Sequence, residues 1–155
     1  MQDIVWSREK INSVKNSIKE LEKVINSHRI ARMATVDDSG IPLVVPICFV
    51  CHSEHIYTPV DKKTKKVTYE KLRRVRNIAQ NPNVSIVIDK YTEDWSGIYY
   101  IIIEGKASLI KEGHEYQNCL KLLTRKYDQY LKMGLDKLGL PIIKITPEKI
   151  MSWGN

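Results

Sequence analysis

The chain has 155 residues, of which 43% are hydrophobic and 28% charged, with a formal net charge of +7. That length suits one domain able to bury a core, and the composition is that of a globular chain, not a disordered or fibrous one. No apolar run reaches the ~18–20 residues of a membrane span, the first residues carry no apolar secretion segment, and three cysteines without framework spacing (Cys48, Cys51, Cys119) argue against a disulfide scaffold; a cytoplasmic protein is expected.

Residues 7–27 read as an amphipathic helix: Ile11, Val14, Ile18, Leu21 and Ile25 recur three and four apart, with Ser7 placed to cap it. ARMATV (31–36) is a short strand, DDSG (37–40) a turn, and PLVVPICFV (42–50) a second strand, apolar enough to be buried on both faces. CHSEH (51–55) turns the chain into a third strand, IYTPV (56–60), and two hairpins in succession predict an antiparallel meander. A basic loop (61–67) runs into a helix over 68–80, with Leu72, Val75 and Ala79 on one stripe, Ile78 beside it, and Asn81-Pro82-Asn83 ending it. VSIVIDKY (84–91) is a strand and TEDWSG (92–97) a turn, followed by a long strand, IYYIIIEGKASLI (98–110), in which Gly105 marks a bulge or bend. A helix over 115–131 gathers Tyr116, Cys119, Leu123, Tyr127 and Tyr130 near one face; PIIKITP (141–147) is the last strand and EKIMSWGN a tail carrying Trp153. Six short antiparallel strands with a few helices predict a mainly β barrel or sandwich with helices packed outside, in a single domain over 1–155.

The charge is unevenly placed. Lys62, Lys63, Lys65, Lys66, Lys71, Arg73, Arg74 and Arg76 are offset by Glu70 alone within 62–76, so this one segment carries the whole excess. Duplex-binding proteins spread cations over a face, because phosphates repeat along the duplex. A single cluster suits a small anionic ligand better, and nucleic acid is not the expected partner.

Few residues advertise catalysis. There is no glycine-rich phosphate loop and no Ser/His/acid set that reads as a triad. Cys48, Cys51, His52 and His55 form C-x-x-C-H-x-x-H, too compact for a usual structural zinc site. The same residues mimic a haem-attachment signature, which belongs to exported proteins. The favoured reading is a buried Cys48 beside a polar turn, with no metal. Trp95, in a turn, and Trp153 have large rings that need cover, from core or dimer packing or from a planar ligand.

ATVDDSGIPLVVPICFV, IYTPVD, a Lys-rich loop, a basic helix ending in NIAQNPNVSIVID, then EDWSG and a strand ending in EGKASLI together resemble the pyridoxamine-phosphate-oxidase-like split β-barrel superfamily. The resemblance runs from about Arg29 to Trp153, and VDKKTKK–LRRVRNI–NPNVSIVIDKY–EDW with a final W is similar to its deazaflavin-dependent branch, which uses coenzyme F420. It implies a six-stranded antiparallel split β-barrel with flanking helices, covering 29–153 behind the N-terminal helix. It also implies a homodimer with a flavin or deazaflavin in a groove between subunits. On that resemblance Val45, Pro46 and Ile47 back the ring through their main chain, and Tyr57 and Thr58 approach the cofactor's tail. Lys62, Lys63 and Lys65 meet its phosphate, with Arg74 added from the helix. Trp95 or Trp153 stacks on a small planar substrate.

Two departures shape the expected chemistry. Where pyridoxamine-phosphate oxidases carry an arginine for the FMN phosphate and a lysine toward substrate, this chain has Val45 and Val50. That disfavours pyridoxal-phosphate synthesis. Coenzyme F420 carries a phosphodiester and a glutamate tail, and many cations suit such an extended anion better than one phosphate. The expected function is therefore F420-dependent hydride transfer to a small organic substrate, with no protein group required as catalytic acid or base. An FMN-dependent oxidoreductase, or a non-catalytic flavin, F420 or haem carrier, is the alternative.

Overall fold

Alternation at period two builds the sheet. In β1 (Ala31–Val36) Ala31, Met33 and Thr35 point inward and Arg32 outward; in β5 (Asn83–Lys90) Val84, Ile86 and Ile88 are buried. β6 (Tyr99–Ile110) repeats the pattern with Ile101, Ile103 and Ala107. The structure, a computed structural model, describes residues 8–61 and 68–154, with side chains in α1 (Arg8–Ser27) assigned from Val14 onward in part. β2 (Pro42–Ile47), β3 (Val50–His52), β4 (His55–Pro59) and β7 (Ile142–Gly154) complete one antiparallel sheet of seven strands in the order β2-β1-β5-β6-β7-β4-β3. The helices α1, α2 (Arg73–Gln80), α3 (Gly113–Lys126) and α4 (Asp128–Lys132) flank it.

The count of seven corrects the expected six. The strand read over 42–50 is two strands, parted at Cys48-Phe49: β2 pairs with β1, and β3 pairs with β4. These are the two ends of the sheet order, yet two residues separate them along the chain. The sheet must therefore curl until its edges approach. The Tyr127 hydroxyl holds the break, accepting the Phe49 N–H at 2.9 Å and facing the carbonyls of Arg29 (2.8 Å) and Phe49 (2.9 Å). β2 is also not buried on both faces: Val44 is 63% exposed, with no described element over its outer side.

Other boundaries shift for local reasons. The turn expected over 51–55 shrinks to Ser53 and Glu54, both at positive φ (48° and 68°), a two-residue hairpin between His52 and His55. The helix expected over 68–80 begins as a 3-10 turn (Tyr69–Lys71), and only Arg73–Gln80 is α. Its buried residues are Val75, Asn77 and Ile78, while Ala79 faces out. The helix expected over 115–131 breaks at Tyr127, whose extended backbone separates α3 from α4. The expected tail is strand: β7 continues to Gly154 along β6, pairing Tyr100 with Trp153. Gly105 is the bulge the sequence predicts. The β6–β7 register slips there, and a Cβ would lie 2.2 Å from the Thr146 carbonyl oxygen.

Two apolar cores result. The larger lies inside the curled sheet under α1 and α2, where Ile18 and Ile25 meet Met33, Phe49, Ile56, Ile86 and Ile103. Each such side chain contributes about 1.5–3 kcal/mol by burial. The second lies between β3, β4, the start of β7 and the α3–α4 pair, around Tyr57, Tyr116, Leu123, Tyr127 and Tyr130. Ser7, the expected cap of α1, lies outside the described residues.

Candidate functional site

A cleft of about 500 Å³ opens where the sheet bends. Val45, Pro46, Ile47 and Cys48 give one wall, at the end of β2 and the break beyond it. Ile30 enters from the residue before β1; Thr58 and Pro59 end β4; Asp61, Leu72 and Arg74 come from the connection to α2 and its first turn; Tyr127, Gln129 and Tyr130 come from the α3–α4 junction. β2 is an edge strand among the described residues, so its outward main-chain groups have no ladder partner there. The walls are mostly apolar, with isolated polar groups, which is the character of a small-molecule site.

The polar groups are partly committed to one another. Arg74 Nη2 lies 3.2 Å from Asp61 Oδ1, with side-chain exposures of 19% and 27%. These two are the charged side chains lining the cleft among the described residues. Burial, then a hydrogen bond to Cys48, raises the Tyr130 hydroxyl above its ordinary value. Burial pushes the Tyr127 hydroxyl up to about 12, so both phenols stay protonated at neutral pH. Behind the break, Lys126 Nζ lies 4.2 Å from the Phe49 ring centroid with no hydrogen-bond partner among the described residues. Its pKa falls to about 8, chiefly through burial and then the neighbouring Arg29 cation.

The basic segment divides. Arg74 alone of Lys71, Arg73, Arg74 and Arg76 lines the cleft. Arg73 reaches Asp37 at 3.8 Å, and Lys71 and Arg76 are exposed. Lys62, Lys63 and Lys65, expected to hold a cofactor's phosphate, lie outside the described residues.

Of the other expected site residues, Val45, Pro46, Ile47 and Thr58 meet in the cleft. Tyr57 does not line it. Its side chain turns into the second core, 2% exposed, and its hydroxyl donates to Glu115 Oε1 at 2.7 Å. Glu115 also accepts from Lys144 at 2.7 Å, and that bond, with the Tyr57 bond next, holds its carboxyl below the usual range. Trp95 and Trp153 form a separate shallow pocket of about 330 Å³ with Ser96, Ile98 and Gly154, sharing no residue with the cleft. They are 74% and 55% exposed, and Tyr100 stacks on Trp153 with centroids 5.9 Å apart. Val50, at the place of the missing lysine, is buried under the second core.

The reading of Cys48 as buried is also corrected. It is half-buried and lines the cleft, while Cys51 is the enclosed one, with its thiol raised to about 12 by burial. Among the described residues no three His, Cys, Asp or Glu side chains converge to hold a metal ion. No described helix is long and apolar enough to cross a membrane.

The sequence reading missed Ile30, Cys48, Pro59, Asp61, Leu72, Gln129 and the two tyrosines as cleft residues. Tyr127 and Tyr130 carried a signal, since they close the aromatic face of the third helical segment. Nothing local ties that face to residue 48.

A curled antiparallel sheet with helices on its flanks and a cleft at the bend defines a split-barrel fold of the flavin-binding type. The chain belongs to the pyridoxamine 5'-phosphate oxidase family, whose N-terminal-region model matches residues 17–154. No curated protein sequence matches it. Among solved structures it is similar to a conserved hypothetical protein of Mycobacterium tuberculosis, with a TM-score of 0.71 and 19% identity over 99% of this chain and 88% of that one. It is similar to the heme storage protein of Vibrio cholerae (TM-score 0.67, 19% identity, 91% and 94% covered). It is also similar to a FAD-binding protein of Mesorhizobium loti (TM-score 0.62, 18% identity, 86% and 90% covered). At these identities the likeness is one of fold.

Proposed function

We propose that this chain is an oxidoreductase that binds a flavin-type ring in the cleft, with coenzyme F420 as the cofactor and FMN as the runner-up. The observation that carries the reading is the cleft itself: apolar walls from β2 and Leu72, two tyrosine rings on the α3–α4 side, and Arg74 as its lone described cation. Those residues fit a planar, largely apolar ring with an anionic tail. Val45, Pro46 and Ile47 would lie along the ring, where the free edge of β2 offers main-chain donors and acceptors. Arg74 would face the tail, next to the segment in which the chain's positive charge is concentrated. When bound, the cofactor supplies the hydride chemistry. The protein's own part is to orient the ring, exclude water from one face and hold Tyr127 and Tyr130 protonated beside it.

We further propose that the working unit is a homodimer. Val44, Pro46, Val87, Tyr100, Ile102, Met151 and Trp153 alternate onto the outer face of the sheet, and Val44, Tyr100 and Trp153 are among its exposed large side chains. The Arg32–Asp89 ion pair lies among these residues, and exposed apolar side chains around such a pair suit an interaction surface. A second copy would cover this face and bring its own aromatic side chains toward the groove.

Equilibrium titration with F420 and, separately, FMN tests the cofactor, read by ligand absorbance and fluorescence. F420 is expected to bind at least about tenfold more tightly, a difference of ~1.4 kcal/mol. A preference for FMN would reverse the choice, and uptake of neither would remove the cofactor reading. Reduced F420 with a panel of enones and quinones then tests turnover. Tight binding without oxidation would leave a carrier, a role that similarity to heme storage and FAD-binding proteins also accommodates.

A further inference from the structure

The cleft contains a charge pair that works against the ligand chemistry its fold suits. Arg74 is the cation positioned to meet an anion there, and Asp61 already holds it at 3.2 Å. Both side chains are largely shielded, so the pair is screened less than a surface ion pair. A bound phosphate would bring negative charge toward Asp61 as well as Arg74, and like charges in a partly desolvated cleft repel. Among the described residues, the neighbouring groups do not relieve this. The Tyr130 phenol, which feels the Asp61 charge, is neutral, and Arg73 is turned away toward Asp37.

We propose that Asp61 is a resident counter-ion of the cleft: it occupies Arg74 until an anionic group displaces it, and so sets how strongly the cleft prefers a phosphorylated ligand over its unphosphorylated form. This rests on the reading of the cleft as a flavin-type site but concerns the charge pair alone. Arg74 is available to ligand for only the fraction of time that Asp61 releases it, and apparent affinity for an anion is reduced by that fraction. A ligand without phosphate does not need Arg74 and is unaffected. Asp61 thereby acts as a specificity determinant without touching the ring.

The test compares FMN with riboflavin, which share the ring and differ in the phosphate, on the wild-type protein, Asp61→Asn, Arg74→Gln and the double variant. Asn keeps the shape of Asp61 and removes its charge at a partly exposed position, and thermal unfolding checks that each variant folds. Asp61→Asn is expected to tighten FMN about three- to tenfold, the size of a partly shielded ion pair, and to leave riboflavin within about twofold. Arg74→Gln should weaken FMN but not riboflavin, and in its background the Asp61→Asn gain should vanish. A gain that persists without Arg74, equal changes for both ligands, or weaker FMN binding in Asp61→Asn would overturn the proposal. If the wild type takes up neither flavin, the flavin reading fails by itself. Inorganic pyrophosphate, followed through the Arg74 side-chain nitrogen resonance, then decides the counter-ion role: tighter binding in Asp61→Asn upholds it, and unchanged binding ends it.

Discussion

One phenol shapes the bend on which the cleft depends. The Tyr127 hydroxyl accepts the Phe49 N–H and has a single proton to offer two carbonyls, those of Arg29 and Phe49. Without it, a buried main-chain donor at the strand break has no partner, and an unmet buried group costs about 1–3 kcal/mol. Tyr127→Phe is therefore expected to lower unfolding stability by that amount in urea, with an unchanged denaturant slope. Its ring retains the packing against Tyr130 (centroids 5.4 Å apart). A loss below about 0.5 kcal/mol would show that the break is held by packing and not by this hydroxyl. The helical pattern placed Tyr127 on its buried face. It could not place the hydroxyl, because 78 residues separate it from Phe49.

At the scale of elements, α1 does more than cover the core. Asn26, near its end, mimics a strand: its side chain donates to the Cys51 carbonyl and accepts the Cys51 N–H, both at 2.8 Å. β3 is an edge strand, and this amide satisfies part of the edge that β4 leaves open. Asn26→Ala should accelerate hydrogen exchange at the Cys51 amide at least tenfold, corresponding to ~1.4 kcal/mol of lost local protection. Exchange as slow as in wild type would mean that the helix shields the edge by cover alone. The elements legible in the sequence are those with one wet and one dry face, β1, β5 and β6. The break in 42–50 was not, since the apolar run continues through Cys48 and Phe49 with no polar residue or glycine to mark it. Nor was the second half of β7, whose residues 147–154 are all half-buried or exposed and so carry little apolar alternation.

At the scale of the whole molecule, the outer sheet face leaves Val44, Tyr100 and Trp153 exposed together. If a second copy covers it, placing a charge at Val44 and Trp153 together, both to Glu, should shift the protein from dimer to monomer in sedimentation equilibrium. The pair sits on strands that keep their inward-facing partners, so the monomer should remain folded. A wild-type protein that is monomeric at ~10–100 μM would remove the dimer. The family was legible because its fragments occur in order over most of the chain. The cleft was not, because it is assembled from five separate stretches whose meeting depends on the curl of the sheet. That curl also sets an order of assembly. β7 lies between β6 and β4, pairing Ile103 with Ile150 on one side and Ile145 with Ile56 on the other. As the chain leaves the ribosome, the β3–β4 hairpin therefore lacks the strand it pairs with until residues 142–145 have been made. The part of the cleft lined by Thr58 and Pro59 is thus fixed late, whatever order the preceding strands take.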